Sequence, residues 1–242
     1  MDTGSAATAI GAAKHGEDGP LPPLLLVLTM VTGLVDAVSY LELGHVFVAN
    51  MTGNVVFLGF AAAGAPGLSA AASLTAIAAF LAGALAGGRL ALRLAGHRGR
   101  LLAIASYIKV ALVGAALIVS ATGRSYDDDA LQYALIVLLA LAMGLQNATV
   151  RRLGVSDLTT TVLTLTLTGL AADSALAGGT NPNFGRRLAA TGTMLAGAAV
   201  GAFLIRYVGV SAAITSALAL LVLNAALAHR LSSSTEAWTG AN

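Results

Sequence analysis

From residue 23 to residue 230 the chain is a succession of apolar stretches, and its charges fall almost entirely at the joints between them. The stretches cover about 23–43, 46–63, 68–95, 101–122, 130–150, 158–178, 185–207 and 210–230. A membrane-spanning helix needs about 20 apolar residues, and most of these stretches reach that length. Only 10% of the residues are charged and 57% are hydrophobic, whereas soluble domains carry about 25% charge. A soluble globular domain is therefore excluded, and so is a disordered chain, which needs low hydrophobicity. The five prolines, Pro20, Pro22, Pro23, Pro66 and Pro182, all lie at stretch boundaries, where they do not break a helix. Strand-like alternation is absent, which argues against a barrel. The predicted fold is an all-α polytopic membrane protein. Its membrane domain is 22–231, flanked by small, polar segments at 1–21 and 232–242 that read as disordered tails.

Other classes fall away on composition. There is no cysteine, so disulfides, thiolate metal sites and cysteine nucleophiles are out. The four histidines, His15, His45, His97 and His229, are far apart and lack metal-ligand spacing. Neither a metal nor a cofactor is expected. The net charge is only +2, with no basic run, so no nucleic-acid partner is expected. The partners implied are the lipid bilayer and a small solute or ion, and a homo-oligomer is left open.

The two halves, about 24–122 and 130–230, read as an internal repeat. Gly33 matches Gly144 and Asp36 matches Asn147. Thr52 matches Thr164, Asn54 matches Thr166, and Pro66 matches Pro182. Gly83 and Gly87 form a GxxxG pair, and Gly197 and Gly201 form another in the corresponding stretch. Such pairs let helices approach closely, and they are assigned to packing of the third and seventh helices. Topology follows from the positive charges. If all eight stretches cross, seven Lys/Arg face one side and five the other. If 46–63 and 158–178 enter and return on one side, the split is ten against two. The second division obeys the positive-inside rule. It gives six full spans plus two short polar re-entrant helices, both termini cytoplasmic, and an external loop holding Asp127, Asp128 and Asp129. Three full spans then separate equivalent helices, so the repeats are inverted, as in many transporters.

The run GLVDAVSYLELGHVFVANMTGNVVFLG at 33–59, with MGLQNATVRRLG at 143–154 and the threonine-rich run after it, resembles the YoaK-like family of bacterial membrane proteins. The similarity extends over about 24–230. It implies a multi-span protein of the bacterial inner membrane and carries no substrate with it. At the place that echoes Gly53 the second half has Leu165.

Asp36 lies about 19 Å along the first helix from Pro23 at 1.5 Å per residue. An ionisable group at that depth is expensive and is a functional candidate by default. Thr32, Ser39 and Tyr40 share its helical face. Lys109 sits about 13 Å past Arg100 and is the one charge inside the fourth stretch. An Asp36–Lys109 pair would neutralise both, as a coupled switch or as a static bridge. Asn50, Thr52, Gly53 and Asn54 form a compact polar knot. Thr160, Thr164 and Thr168 fall at i, i+4, i+8, with Gln146 and Asn147 close in sequence. These side chains are the candidates for a solute pathway, against the plainer reading of threonines bonded back to their own helix. The leading function is a small-solute transporter or channel. The alternatives are a non-transporting scaffold or sensor and an intramembrane enzyme. Against the enzyme stands the absence of HExxH, GxSxG and paired carboxylates on one helix.

Overall fold

The structure, a computed structural model, describes residues 18–122, 129–158, 160, 163–233 and 237–240. The acidic run at 127–128 and most of the expected N-terminal tail lie outside the described residues. Within them the chain is helical, with no strand. Six helices have 22 to 25 residues: α1 (Leu21–Glu42), α3 (Ala70–Arg93), α4 (Arg98–Ser120), α5 (Asp129–Leu153), α7 (Phe184–Tyr207) and α8 (Val210–Leu231). At 1.5 Å per residue each is about 33 Å or longer, enough for a hydrocarbon core of about 30 Å. Two are too short to cross: α2 (Met51–Ala62) and α6 (Leu163–Ala172). The helices begin where the sequence supplies caps. Prolines occupy the first turn of α1, where no N–H is missed. Ser69 accepts from the Ala72 N–H at the start of α3, and His97 Nδ1 accepts from the Arg100 N–H at the start of α4.

Contacts between helix ends fix the direction of each helix. At one end of the bundle, Arg98 at the start of α4 donates to the carbonyl of Leu153 at the end of α5 (2.7 Å). Asp18, just before α1, bridges Arg98 (3.4 Å) and Arg186 at the start of α7 (3.1 Å). Ser232, past the end of α8, abuts Gly99. At the other end Ser120 of α4 meets Ser211 of α8, with hydroxyl oxygens 3.2 Å apart. There Gln132, at the start of α5, lies on Gly44, which follows α1. Helices α1 and α4 therefore run one way, and α5 and α8 the other. Glycine contacts extend this to the remaining pair. Gly83 and Gly87 of α3 approach Leu141 and Leu145 of α5 in parallel, and Gly197 and Gly201 of α7 approach Met30 and Leu34 of α1 in parallel. The GxxxG helices α3 and α7 thus pack on α5 and α1 and not on each other.

Exchanging the halves, α1–α4 for α5–α8, leaves the set of packed helix pairs unchanged. The equivalence reaches single atoms. A Cβ on Gly83 would meet Leu141 O at 2.1 Å, and one on Gly197 would meet Met30 O at 2.3 Å. A Cβ on Gly144 would meet Phe80 O at 2.0 Å, and one on Gly33 would meet Met194 O at 2.5 Å. Every helix also runs opposite to its equivalent. The most buried helices are α1 and α5, so their polar residues occupy the middle of the bundle.

The segment read as a tail after residue 231 contains the chain's one tryptophan. Trp238, 3% exposed, lies in a short 3-10 turn (Ala237–Thr239) against Gly19 and Gly99. Its indole covers the end where the starts of α1 and α4 meet.

Candidate functional site

After α1 the chain doubles back. Residues 47–50 lie beside Asp36, six residues before the end of α1, and α2 then returns to the end from which the chain came. The same happens after α5. Thr160 lies beside Gln146, seven residues before the end of α5, and α6 returns to the end where Asp173 pairs with Arg187 of α7 (2.7 Å). His45 and Asp157, at corresponding places in the two turns, both have left-handed backbone (φ 57° and 63°). Among the described residues, the α-helix of the stretch 46–63 is Met51–Ala62 and that of 158–178 is Leu163–Ala172, where the sequence reading made each stretch a single helix.

A doubled-back non-helical segment carries peptide groups with no ladder, and each unmet group in an apolar interior is costly. The polar knot meets them. Asp36 Oδ1 accepts the N–H groups of Val48 (3.1 Å) and Ala49 (3.0 Å), and its Oδ2 accepts the Asn50 side-chain amide. Asn54, fully buried, imitates a β-partner for Phe47. Its Oδ1 accepts the Phe47 N–H at 2.8 Å, and its Nδ2 donates to the Phe47 carbonyl at 2.6 Å. Gly53 leaves room for the Phe47 ring, 2.6 Å from where a Cβ would sit. Tyr40 stacks on Phe47 at 5.1 Å and meets His45 edge-on at 5.3 Å. It belongs to an aromatic cluster with Phe47, Phe57 and His45. Thr52 is exposed and takes no part.

Asp36 does not pair with Lys109. Among the described residues no carboxylate lies within 4 Å of the Lys109 ammonium. Lys109 Nζ donates instead to Gln146 Oε1 at 3.1 Å. An ammonium only donates, so the Gln146 oxygen must face it and the amide NH₂ must face away. That NH₂ reaches Thr32 Oγ1 (2.9 Å), Thr160 Oγ1 (3.3 Å) and the Leu28 carbonyl (3.4 Å). Lys109, Gln146, Thr32 and Thr160 are all at least 97% buried. One connected layer thus joins α1, α4, α5 and Thr160, which precedes α6. Thr32 is one helical turn from Asp36, so this layer and the Asp36 anchor are neighbours along α1.

The threonine stripe does not form. Thr160 precedes α6, with a left-handed φ of 60° that is rare for a β-branched residue. Thr164 and Thr168 are exposed, and Thr168 bonds back to the Thr164 carbonyl at 2.8 Å. The buried threonine of α6 is Thr166, the repeat partner of Asn54, and each is the one buried residue of its short helix. Nor do α2 and α6 touch: α2 packs on α3 and α6 on α7. Asn147, the repeat partner of Asp36, donates to its own helix at Met143 O (2.9 Å). Its neighbour Gln146 reaches Thr160.

Sequence reading missed Ser106 and Asn224. Asn224 of α8 donates to Ser106 Oγ of α4 at 3.3 Å, and both are fully buried. Asn224 Oδ1 is the one buried side-chain polar atom without a hydrogen-bond partner among the described residues. A single amide in the apolar run of α8 was the available signal. Ser106 lies one turn before Lys109, on the same helix face.

A curated relative, the UPF0700 transmembrane protein YoaK of Bacillus subtilis (strain 168), is 36% identical over 151 residues, which cover 62% of this chain and 65% of the relative. The chain thus spans slightly less than two thirds of that relative's length. No solved structure matches. Residues 24–227 match the family described as "Protein of unknown function (DUF1275)". That match covers most of the chain, so this multi-pass membrane protein belongs to the DUF1275 family.

Proposed function

We propose that the protein is a transporter or channel for a small solute in the bacterial inner membrane, with both termini cytoplasmic, and not an enzyme. The observation that carries this reading is the buried polar layer of Lys109, Gln146, Thr32 and Thr160. Apolar helices pack without such a layer, and polar groups at membrane depth mark solute and ion paths. Two features support it. The halves run in opposite directions, and each contributes a short, doubled-back segment to the interior. That is the pattern of inverted-repeat transporters, whose sites lie at broken segments between repeats. In a bilayer, the turns before α2 and α6 are re-entrant from opposite faces.

Orientation follows from charge. The bundle end with Arg93, Arg98, Arg100, Arg151, Arg152 and Arg186 faces the cytoplasm, while the described opposite end carries Arg206. Because the chain has no cysteine, single cysteines report topology directly. An impermeant thiol reagent on intact cells is expected to label Thr122→Cys and to spare Gly96→Cys. The reverse pattern would invert the assignment.

Transport is tested by stopped-flow light scattering on proteoliposomes challenged separately with glycerol, urea and sodium acetate. The parent is expected to speed re-swelling for at least one of them. Gln146→Leu, which removes the group linking Lys109 to Thr32 and Thr160, is expected to lose most of that gain. Traces equal to empty liposomes for all three solutes, from protein shown to be inserted and folded, would favour the scaffold reading.

A further inference from the structure

The cytoplasm-facing end has one corner where the end of α3, the start of α4 and the end of α5 enclose a cavity of about 150 Å³. Its floor is apolar, from Leu94 and Leu101, and its wall carries Arg98 and Arg152. Arg98 is buried and held in place by its bonds to the Leu153 carbonyl and Asp18. Arg152 is exposed, as are Arg93, Arg100 and Arg151 on the same three helix ends, and none of these four is ion-paired among the described residues. Two guanidinium groups lining one pocket beside leucines, with three more arginines on the same helix ends, suit a ligand with an anionic head and an apolar body.

The pseudo-symmetry supplies a comparison within the molecule. The equivalent corner at the other end is built from the end of α7, the start of α8 and the end of α1. It carries Arg206, which lies over the Tyr207 ring at 5.7 Å, and Glu42. The same helix arrangement is thus made there without an arginine cluster, so the cluster is not a requirement of packing.

We propose that the α3–α4–α5 corner binds the phosphate of an anionic phospholipid. The guanidinium of Arg152 bonds the phosphate oxygens in the fork geometry arginine favours. Arg93 and Arg100, on the same helix ends, add field, and the acyl chains extend past the partly exposed Leu94 toward the bilayer. This site is separate from the central polar layer and does not depend on a transport role.

The test is native mass spectrometry of the full chain in neutral detergent, titrated separately with phosphatidylglycerol, phosphatidylcholine and inorganic phosphate. The parent is expected to retain phosphatidylglycerol in preference to phosphatidylcholine. Arg152→Gln is expected to weaken that retention about tenfold, the size of one lost charge-assisted bond, and Arg93→Gln by less. Arg206→Gln, at the symmetric corner, is expected to leave it unchanged. All three positions are exposed, and elution as a sharp monodisperse peak confirms folding. Equal retention of the two lipids, or equal retention by Arg152→Gln and the parent, overturns the proposal. Saturable binding of inorganic phosphate that Arg152→Gln abolishes, without lipid selectivity, overturns the lipid assignment in favour of a soluble anion.

Discussion

Gly144→Ala is expected to remove most of the folded protein, although it adds one methyl group. The new Cβ would stand 2.0 Å from the Phe80 carbonyl oxygen and 2.8 Å from the Ala84 nitrogen, both backbone atoms of α3. A side chain in the way can change rotamer, whereas a helix backbone can only move as a body. Overpacking ordinarily costs about 1–3 kcal/mol, and a clash of backbone with Cβ belongs at or above the top of that range. Against a total stability of about 5–15 kcal/mol, that is enough to shift thermal unfolding strongly and to lower the yield of monodisperse protein. Gly33→Ala, its equivalent on α1, meets Met194 O at 2.5 Å and Ala198 N at 2.6 Å and is expected to act the same way. Gly88 and Gly114 are helical glycines with nothing within 4 Å of where a Cβ would sit. Alanine there is expected to be neutral or to stabilise by up to about 1 kcal/mol, through helix propensity. The measurement is the monodisperse fraction surviving heating in detergent. Equal behaviour of all four variants would mean that the close crossings of α3 on α5 and of α7 on α1 are not as tight as described.

The glycine crossings also show what could be read in advance. The matches Gly33 to Gly144 and Gly83 to Gly197 were visible as sequence, because a close crossing admits glycine and little else, and the chain repeats the solution. Asn54 and Thr166 were likewise visible as a pair, because each short helix buries one polar residue. The partner of each GxxxG helix was not visible. A glycine pair says that something comes close and does not say what, and here α3 takes α5 and α7 takes α1 across the halves. The fate of the charges was hidden for a related reason. Asp36 and Lys109 are the two charges deep in the apolar stretches, so sequence pairs them. Side-chain reach depends on how α1, α4 and α5 are rotated, and that rotation turns Lys109 toward Gln146. The threonine run misled because i, i+4 spacing was counted through 160–168, whereas α6 begins at Leu163. Trp238 could not be placed from a short polar stretch, because its burial depends on Gly19 and Gly99 from elsewhere in the chain.

Asp36 provides the sharpest separation between anchoring and chemistry. Three donors converge on its carboxylate, from Val48, Ala49 and Asn50, and the group is 5% exposed. Asp36→Leu leaves all three unmet. At about 1–3 kcal/mol for each buried donor without a partner, the segment before α2 is expected to detach from α1. Faster hydrogen exchange across 43–50 and a lower unfolding temperature would register the change. Asp36→Asn behaves differently. Its side-chain oxygen can still accept from the Val48 and Ala49 N–H groups, and the half-buried Asn50 amide can turn its own oxygen toward the new NH₂. The variant is therefore expected to fold, to protect 43–50 as the parent does, and to keep most of whatever solute flux the parent shows. A titrating switch between Asp36 and Lys109, one of the two pairings that sequence leaves open, would instead make that flux vanish. The structure favours the anchor, because every hydrogen bond it gives the carboxylate comes from residues 48–50 and none from Lys109. A folded Asp36→Asn protein without flux at any pH, with exchange at 43–50 unchanged, would return the charge of Asp36 to the mechanism. Parental exchange in Asp36→Leu would show that residues 43–50 are held by Asn54 and the aromatic cluster around Tyr40 instead.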